Sequence, residues 1–250
     1  MKKIYLLLTC ILCTWLIISC SSDGSNDSNS GSSPQDGKGG SLATFALKGN
    51  YLYTVDYQKL NVFSIQNQEN PVKVNQKDIG FNIETLYSLD NFLFIGSRDA
   101  MYIYDITNAE NPMFLSESQH FTACDPVVAN QTHAFVTIHS NTNCGNNFNT
   151  LMIYNIENLA NPILIHERNL TYPRGLAIHN NYLIICDDEL KIFDVTNPAE
   201  PTLVLSKNYK FKDVVLYNDI LFAFGENEIV QFKWTNNDFL TLEEISKLNY

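Results

Sequence analysis

The sequence is short of positive charge. It has 16 Lys and Arg against 27 Asp and Glu, a formal net charge of −11 at pH 7. An acidic domain is repelled by phosphate backbones and anionic lipid heads, which excludes nucleic-acid binding as its trade. It also lacks a long apolar run. The longest, from Ile4 to Ile18, is about 15 residues, whereas a membrane span takes about 20. It has no CxxC pair, and its five histidines, at 120, 133, 139, 166 and 179, are scattered, so no zinc site is expected and no cofactor is implied. No nucleophile–histidine pairing is visible. The one glycine-rich run, Gly37–Gly40, lies in a polar tract and not between a strand and a helix, so it is no phosphate loop. Helical periodicity is missing over any long window, and only Leu242–Leu248 is ambiguous.

What is present begins with an address. Lys2 and Lys3 precede the apolar run, and Leu16-Ile17-Ile18-Ser19-Cys20 follows inside its end. This resembles a bacterial lipobox and implies cleavage after Ser19 with lipidation of Cys20. The alternative is an ordinary secretory signal with a chance cysteine. Losing Lys2 and Lys3 leaves 14 cations against 27 acids, a net of −13. Residues 21–41 (SSDGSNDSNSGSSPQDGKGGS) hold no apolar side chain and cannot offset their ordering entropy, so they read as a tether. By resemblance to known sorting rules, Ser21 after the cysteine favours the outer membrane, and Asp23 resembles a surface-export signal. The expected organisation is a signal at 1–19, a lipidated cysteine and tether at 20–41, and one domain at 42–250.

That domain is repetitive. Met101–Pro112 (MYIYDITNAENP) returns as Leu60–Pro71, Leu151–Pro162 and Leu190–Pro201, with starts 41, 50 and 39 residues apart in chain order. A fifth copy, Ile229–Asn236, lacks the proline. Each unit has four pieces. An apolar run (Thr44–Leu47, Thr85–Leu89, Pro126–Ala129, Gly175–Ile178, Asp213–Leu216) leads to a tight turn such as Gly49-Asn50 or Asp90-Asn91. A second run follows, then the repeated motif as a third, and a proline-bearing loop leads to a fourth. Phe92–Ile95, Leu183–Ile185 and Leu221–Phe224 are apolar on both faces, as buried sheets require. Four strands in about 40 residues, repeated, predict radially stacked blades. The expectation is an all-β, five-bladed β-propeller with blades at about 42–80, 81–121, 122–170, 171–208 and 209–250.

The units resemble the LVIVD-repeat family of β-propellers common among bacterial lipoproteins. Gly49–Tyr53, Ala123–Val128, Tyr172–Ile178 and Leu190–Pro201 carry the likeness, which covers most of residues 42–235. The chain departs from the family's pentapeptide, reading MYIYD, LMIYN and LKIFD, and its last unit has no NP loop. The resemblance implies a fold and an envelope location, and no established reaction.

Strand order then fixes a face. The start of each first strand and each loop between strands two and three share one side, here called the top. Cys124 and Cys144 both fall there, Cys144 in a loop about nine residues longer than its counterparts, so a disulfide is expected between them. The closed loop would contribute about 3 kcal/mol. Cys186, inside an apolar strand, reads as an inert buried thiol. Counting back eight residues from the second strands places Ala43, Glu84, Asp125, Arg174 and Lys212, or Asp213 in place of Lys212, around the axial mouth. Two readings compete: a self-neutralising plug, or a site for a polar ligand rimmed by His120, His139 and Tyr172. The acidic loops Asp187-Asp188-Glu189 and Gly225–Glu228 are solvated turns or a Ca²⁺ site. The function expected is a non-enzymatic envelope module that binds protein or glycan through its top face. The alternative is a carbohydrate hydrolase using Glu84, Asp125 and Asp213 as paired carboxylates.

Overall fold

A computed structural model describes residues 39–120, 126–139, 148–235 and 238–250. The signal, Cys20, most of the tether, Asp125 and both members of the expected disulfide, Cys124 and Cys144, lie outside the described residues.

The described residues form twenty strands, and every four consecutive ones make a separate antiparallel sheet. Blade one holds β1 (Phe45–Lys48), β2 (Tyr51–Asp56), β3 (Lys59–Ser64) and β4 (Val72–Asp78). Blade two holds β5 (Ile83–Leu89), β6 (Phe92–Ser97), β7 (Ala100–Asp105) and β8 (Met113–Gln119). Blade three holds β9 (Val127–Ala129), β10 (His133–His139), β11 (Asn149–Asn155) and β12 (Ile163–Asn169). Blade four holds β13 (Leu176–His179), β14 (Tyr182–Cys186), β15 (Leu190–Asp194) and β16 (Thr202–Lys207). Blade five holds β17 (Asp213–Tyr217), β18 (Ile220–Phe224), β19 (Glu228–Thr235) and β20 (Asp238–Asn249). The ambiguous stretch Leu242–Leu248 is therefore strand. The fold is an all-β, five-bladed propeller.

The turn chemistry explains the first hairpins. Gly49, Asp90, Asn180 and Asn218 take positive φ of 55°, 49°, 52° and 49°, and Asp219 adds 60°. Those residue types enter the left-handed region at low cost, and such turns match strand twist. Asn130 solves the same problem differently: its side chain accepts the backbone N–H groups of Thr132 and His133.

The core is not inside any blade but between neighbours. Four apolar clusters join blades one and two, two and three, three and four, and four and five. Central strands such as β6 and β14 are buried on both faces for this reason. Each blade also carries a bulge between its third and fourth strands, at Phe63, Tyr104, Tyr154, Phe193 and Phe232, the aromatic of each motif copy. Bulges bend and twist the outer strand and blunt it as a pairing edge.

The proline loops clamp blade to blade. Tyr53 Oη donates to Ala109 O at 2.8 Å, Ser116 Oγ to Leu159 O at 2.6 Å, and His166 Nδ1 meets Ala199 O at 2.9 Å. In each case a residue of one blade grips the loop of the next.

The closing seam differs. The inner strands approach in sequence from β1 through β5, β9 and β13 to β17, while β17 and β1 do not pack on each other in the same way. Residues 39–42 occupy that seam. Ser41, 1% exposed, donates through Oγ to Asp213 Oδ1 at 3.1 Å and accepts from Leu176 N at 2.8 Å. Gly39-Gly40-Ser41, assigned to the tether by composition, thus pack with the domain. Small residues are needed here because a Cβ on Gly40 would strike the Asp213 carboxylate and come within 2.9 Å of Val215.

Candidate ligand site at the axial mouth

Four first strands and one long second strand deliver the mouth. Glu84 and Thr85 come with β5, Pro126 precedes β9, Arg174 precedes β13, Lys212 precedes β17, and His139 ends β10. With Leu42 and Tyr172 they line a recess of about 300 Å³. Arg174 and Lys212 hold their places by backbone bonds: Arg174 N donates to Cys186 O at 2.7 Å, and Lys212 N to Phe224 O at 2.6 Å. Thr137 Oγ1 donates to Arg174 O at 2.7 Å and ties blade three to blade four.

One wall is a stack. The Arg174 guanidinium lies 4.7 Å from the centre of the Tyr172 ring, and His139 meets that ring edge-on at 4.2 Å. Burial, the Arg174 charge beside it and a weaker opposing bond from Asn149 leave the His139 pKa below its ordinary value, so the ring is neutral at pH 7. Its Nδ1 is buried without a hydrogen-bond partner among the described residues.

Asp187 sets this wall. Its carboxylate accepts from Thr171 N at 3.1 Å, from Tyr172 N, and from Lys191 Nζ at 2.7 Å. Only Asp187 of the acidic loops departs from a solvated turn, being buried; the exposed Asp188 pairs with Lys191 at 2.6 Å, and the exposed Glu226 with Lys212 at 2.6 Å. That ion pair holds the Glu226 carboxyl below the usual carboxylate range. Among the described residues no three His, Cys, Asp or Glu side chains converge as metal ligands.

A second recess of about 380 Å³ adjoins the first between blades four and five, lined by Asp187, Asp188, Lys210, Phe211 and Glu226 together with Tyr172, Arg174 and Lys212. The three shared side chains form the ridge between the two.

The structure thus brings Glu84, Arg174, Lys212, His139 and Tyr172 to one place. His120 lines neither recess; it follows β8, where its N–H donates to Asp99 O at 3.0 Å. Asp213 is absent from both linings as well, because its carboxylate is engaged by Ser41 Oγ, Val214 N and Leu42 N. Burial pushes that carboxyl up to about 6, and those three bonds pull against it. Below the mouth, Gly39, Gly40 and Ser41 share an axial cavity of about 160 Å³ with Tyr87, Val128 and the inner strands of blades four and five. Cys186 is fully buried, and burial, with the Asp213 charge next, raises its thiol well above the usual range. Leu42, Thr85, Pro126, Lys210 and Phe211 carried no sequence signal for the site. They have no common spacing or chemistry and reach it only through the ring.

The chain has many structural relatives of low identity. The periplasmic gluconolactonase PpgL of Pseudomonas aeruginosa matches with a TM-score of 0.62 at 11% identity, over 80% of this chain and 68% of that one. A Lactobacillus plantarum protein matches with a TM-score of 0.63 at 11% identity, over 79% and 67%. BamB of Moraxella catarrhalis matches with a TM-score of 0.55 at 11% identity, over 72% of this chain and 54% of BamB. These likenesses show the fold alone. No curated protein matches the chain in sequence. The LVIVD repeat family model matches residues 172–208, which are blade four from Tyr172 through its outer strand. The repeat model thus falls on one of the five sheets, and the fold of the chain is a five-bladed β-propeller.

Proposed function

We propose that this protein is a lipid-anchored binding module of the bacterial cell envelope, and that its ligand seats on the top face over the axial mouth. The observation that carries the reading is the cup itself. A recess of about 300 Å³ is walled by a pre-packed Arg174–Tyr172–His139 stack. Such a concave site with a few convergent polar groups is the usual form of a ligand pocket. The envelope address rests on the lipobox-like Leu16–Cys20, and the description of the Pseudomonas relative as periplasmic agrees with it. The non-enzymatic reading is favoured because Asp213, one of the three candidates for a hydrolase's carboxylate pair, is engaged in the ring seam.

The test uses the full chain in a bacterial host and as purified protein. Cys20→Ser shifts the protein from the membrane to the soluble fraction; if it stays with the membrane, the lipid anchor is wrong. A panel of neutral and acidic oligosaccharides is titrated onto purified protein while reducing ends are assayed. The expected result is binding that Tyr172→Ala weakens about tenfold or more and Tyr217→Ala, at an exposed turn, leaves alone, with no reducing ends released. Reducing ends that vanish in Glu84→Gln would replace the binding module with a hydrolase.

A further inference from the structure

The acids around the twin recesses are spoken for one by one. Asp187 is held by two backbone N–H groups and Lys191, Asp188 by Lys191, and Glu226 by Lys212. Arg174 is the exception. Among the described residues no carboxylate lies within ion-pair distance of its guanidinium, which rests only on the face of Tyr172. In a chain of net charge −11, an arginine without an acid at the lip of a recess is a local reversal of sign. Its charge is felt nearby: it depresses His139 and contributes to depressing Glu226. A guanidinium already oriented by an aromatic ring loses little freedom when it takes a planar, two-oxygen anion, and that geometry matches a carboxylate.

The rest of the site narrows the ligand. Tyr172 remains 38% exposed and belongs to both recesses, so it offers a surface on which a sugar ring can pack. Recesses of about 300 and 380 Å³ side by side suit two consecutive sugar units better than one bulky group. Glu84 lines the first recess and accepts hydroxyl groups more readily than a second negative charge.

Resting on the reading of the mouth as a binding site, we infer that the mouth is a subsite for an acidic sugar. The sugar's carboxylate is held by Arg174, with Lys212 behind it, and its ring lies against Tyr172. The probes are trigalacturonate, neutral maltotriose and triglutamate, each titrated onto the full mature chain by calorimetry at low and high salt. Trigalacturonate binds, and maltotriose binds at least about tenfold more weakly. Arg174→Met weakens trigalacturonate by about 10- to 100-fold, Arg174→Lys less, and salt weakens it further. Circular dichroism and thermal melting confirm that the variants fold. Equal binding of trigalacturonate and maltotriose overturns the acidic-sugar inference and leaves the binding module standing. Preferential binding of triglutamate overturns the sugar and keeps the carboxylate. Absence of binding by all three probes overturns the inference, and the wider oligosaccharide panel then decides the function separately.

Discussion

The Asp213 carboxylate accepts from Ser41 Oγ and Val214 N at 3.1 and 2.9 Å while packed against Gly175, where a Cβ would sit 2.7 Å from the Asp213 Cα. Burial outweighs these bonds and lifts the group from 3.8 to about 6. The sign of the consequence is fixed. Between those two values the folded chain keeps a proton that the unfolded chain has lost, so stability falls as pH rises through the window. Two pH units at about 1.4 kcal/mol each give a loss on the order of 2–3 kcal/mol. Asp213→Asn removes the titrating group. In urea titrations across this range, the stability of the parent chain minus that of Asp213→Asn is expected to shrink by that amount from acid to neutral pH. A difference that stays constant would show that the carboxylate is solvated and the seam looser than described.

At the scale of elements, the repeated motif is as much a joint between blades as a strand. Ser116, 7% exposed, reaches from β8 to Leu159 O in the next blade's loop at 2.6 Å. Ser116→Ala leaves that carbonyl without its side-chain donor, at an expected cost of about 1–2 kcal/mol. In a domain of this size the melting temperature drops by about 2–4 °C per kcal/mol. Thermal melting checks it, and an unchanged midpoint would mean that water replaces the hydroxyl without loss. The hairpins were legible beforehand because their information is local. Apolar runs of four or five residues lead into turns of Gly, Asn or Asp, and the first strands begin within about two residues of where those runs start. The mouth was legible for Glu84, Arg174 and Lys212 because each lies eight residues before its blade's second run. The joints were not legible, since Ser116 and Leu159 are 43 positions apart and Ser41 and Asp213 172. Nor was the fourth strand's length: β20 runs 12 residues, because a charged edge strand such as Thr241–Leu248 shows no buried face to read. Asp213 was read as a mouth residue because a shift of one position puts it in place of Lys212, and its partner Ser41 is near the other end of the chain.

For the whole molecule, the ring is held unequally. Four seams are apolar clusters, each built from strands of two adjacent blades. The fifth is filled by Gly39–Leu42 and joined by Ser41 to both Asp213 and Leu176 N, a polar contact with far less apolar area to hide. Burial of apolar surface supplies about 25 cal/mol per Å², so the seam with least of it opens first. A chain starting at Leu42 should therefore keep its blades and lose the closure. Its two lost Ser41 hydrogen bonds, at about 1 kcal/mol each, predict a melting temperature lower by roughly 4–8 °C than that of a chain starting at Pro34. Hydrogen exchange should accelerate in β1, in β17 and at Leu176 N of β13, which loses its Ser41 acceptor, and leave β9 unchanged. The Asp213-dependent fall in stability between acid and neutral pH should shrink in the same variant, since water then reaches the carboxylate. Uniform acceleration around all five blades would instead mean that the seams are equivalent and that residues 39–41 merely line the axis. Ligand binding adds a discriminating arm: Ser41 bonds Asp213, the neighbour of Lys212, so loss of residues 39–41 loosens the wall that carries Lys212 before the one that carries Glu84.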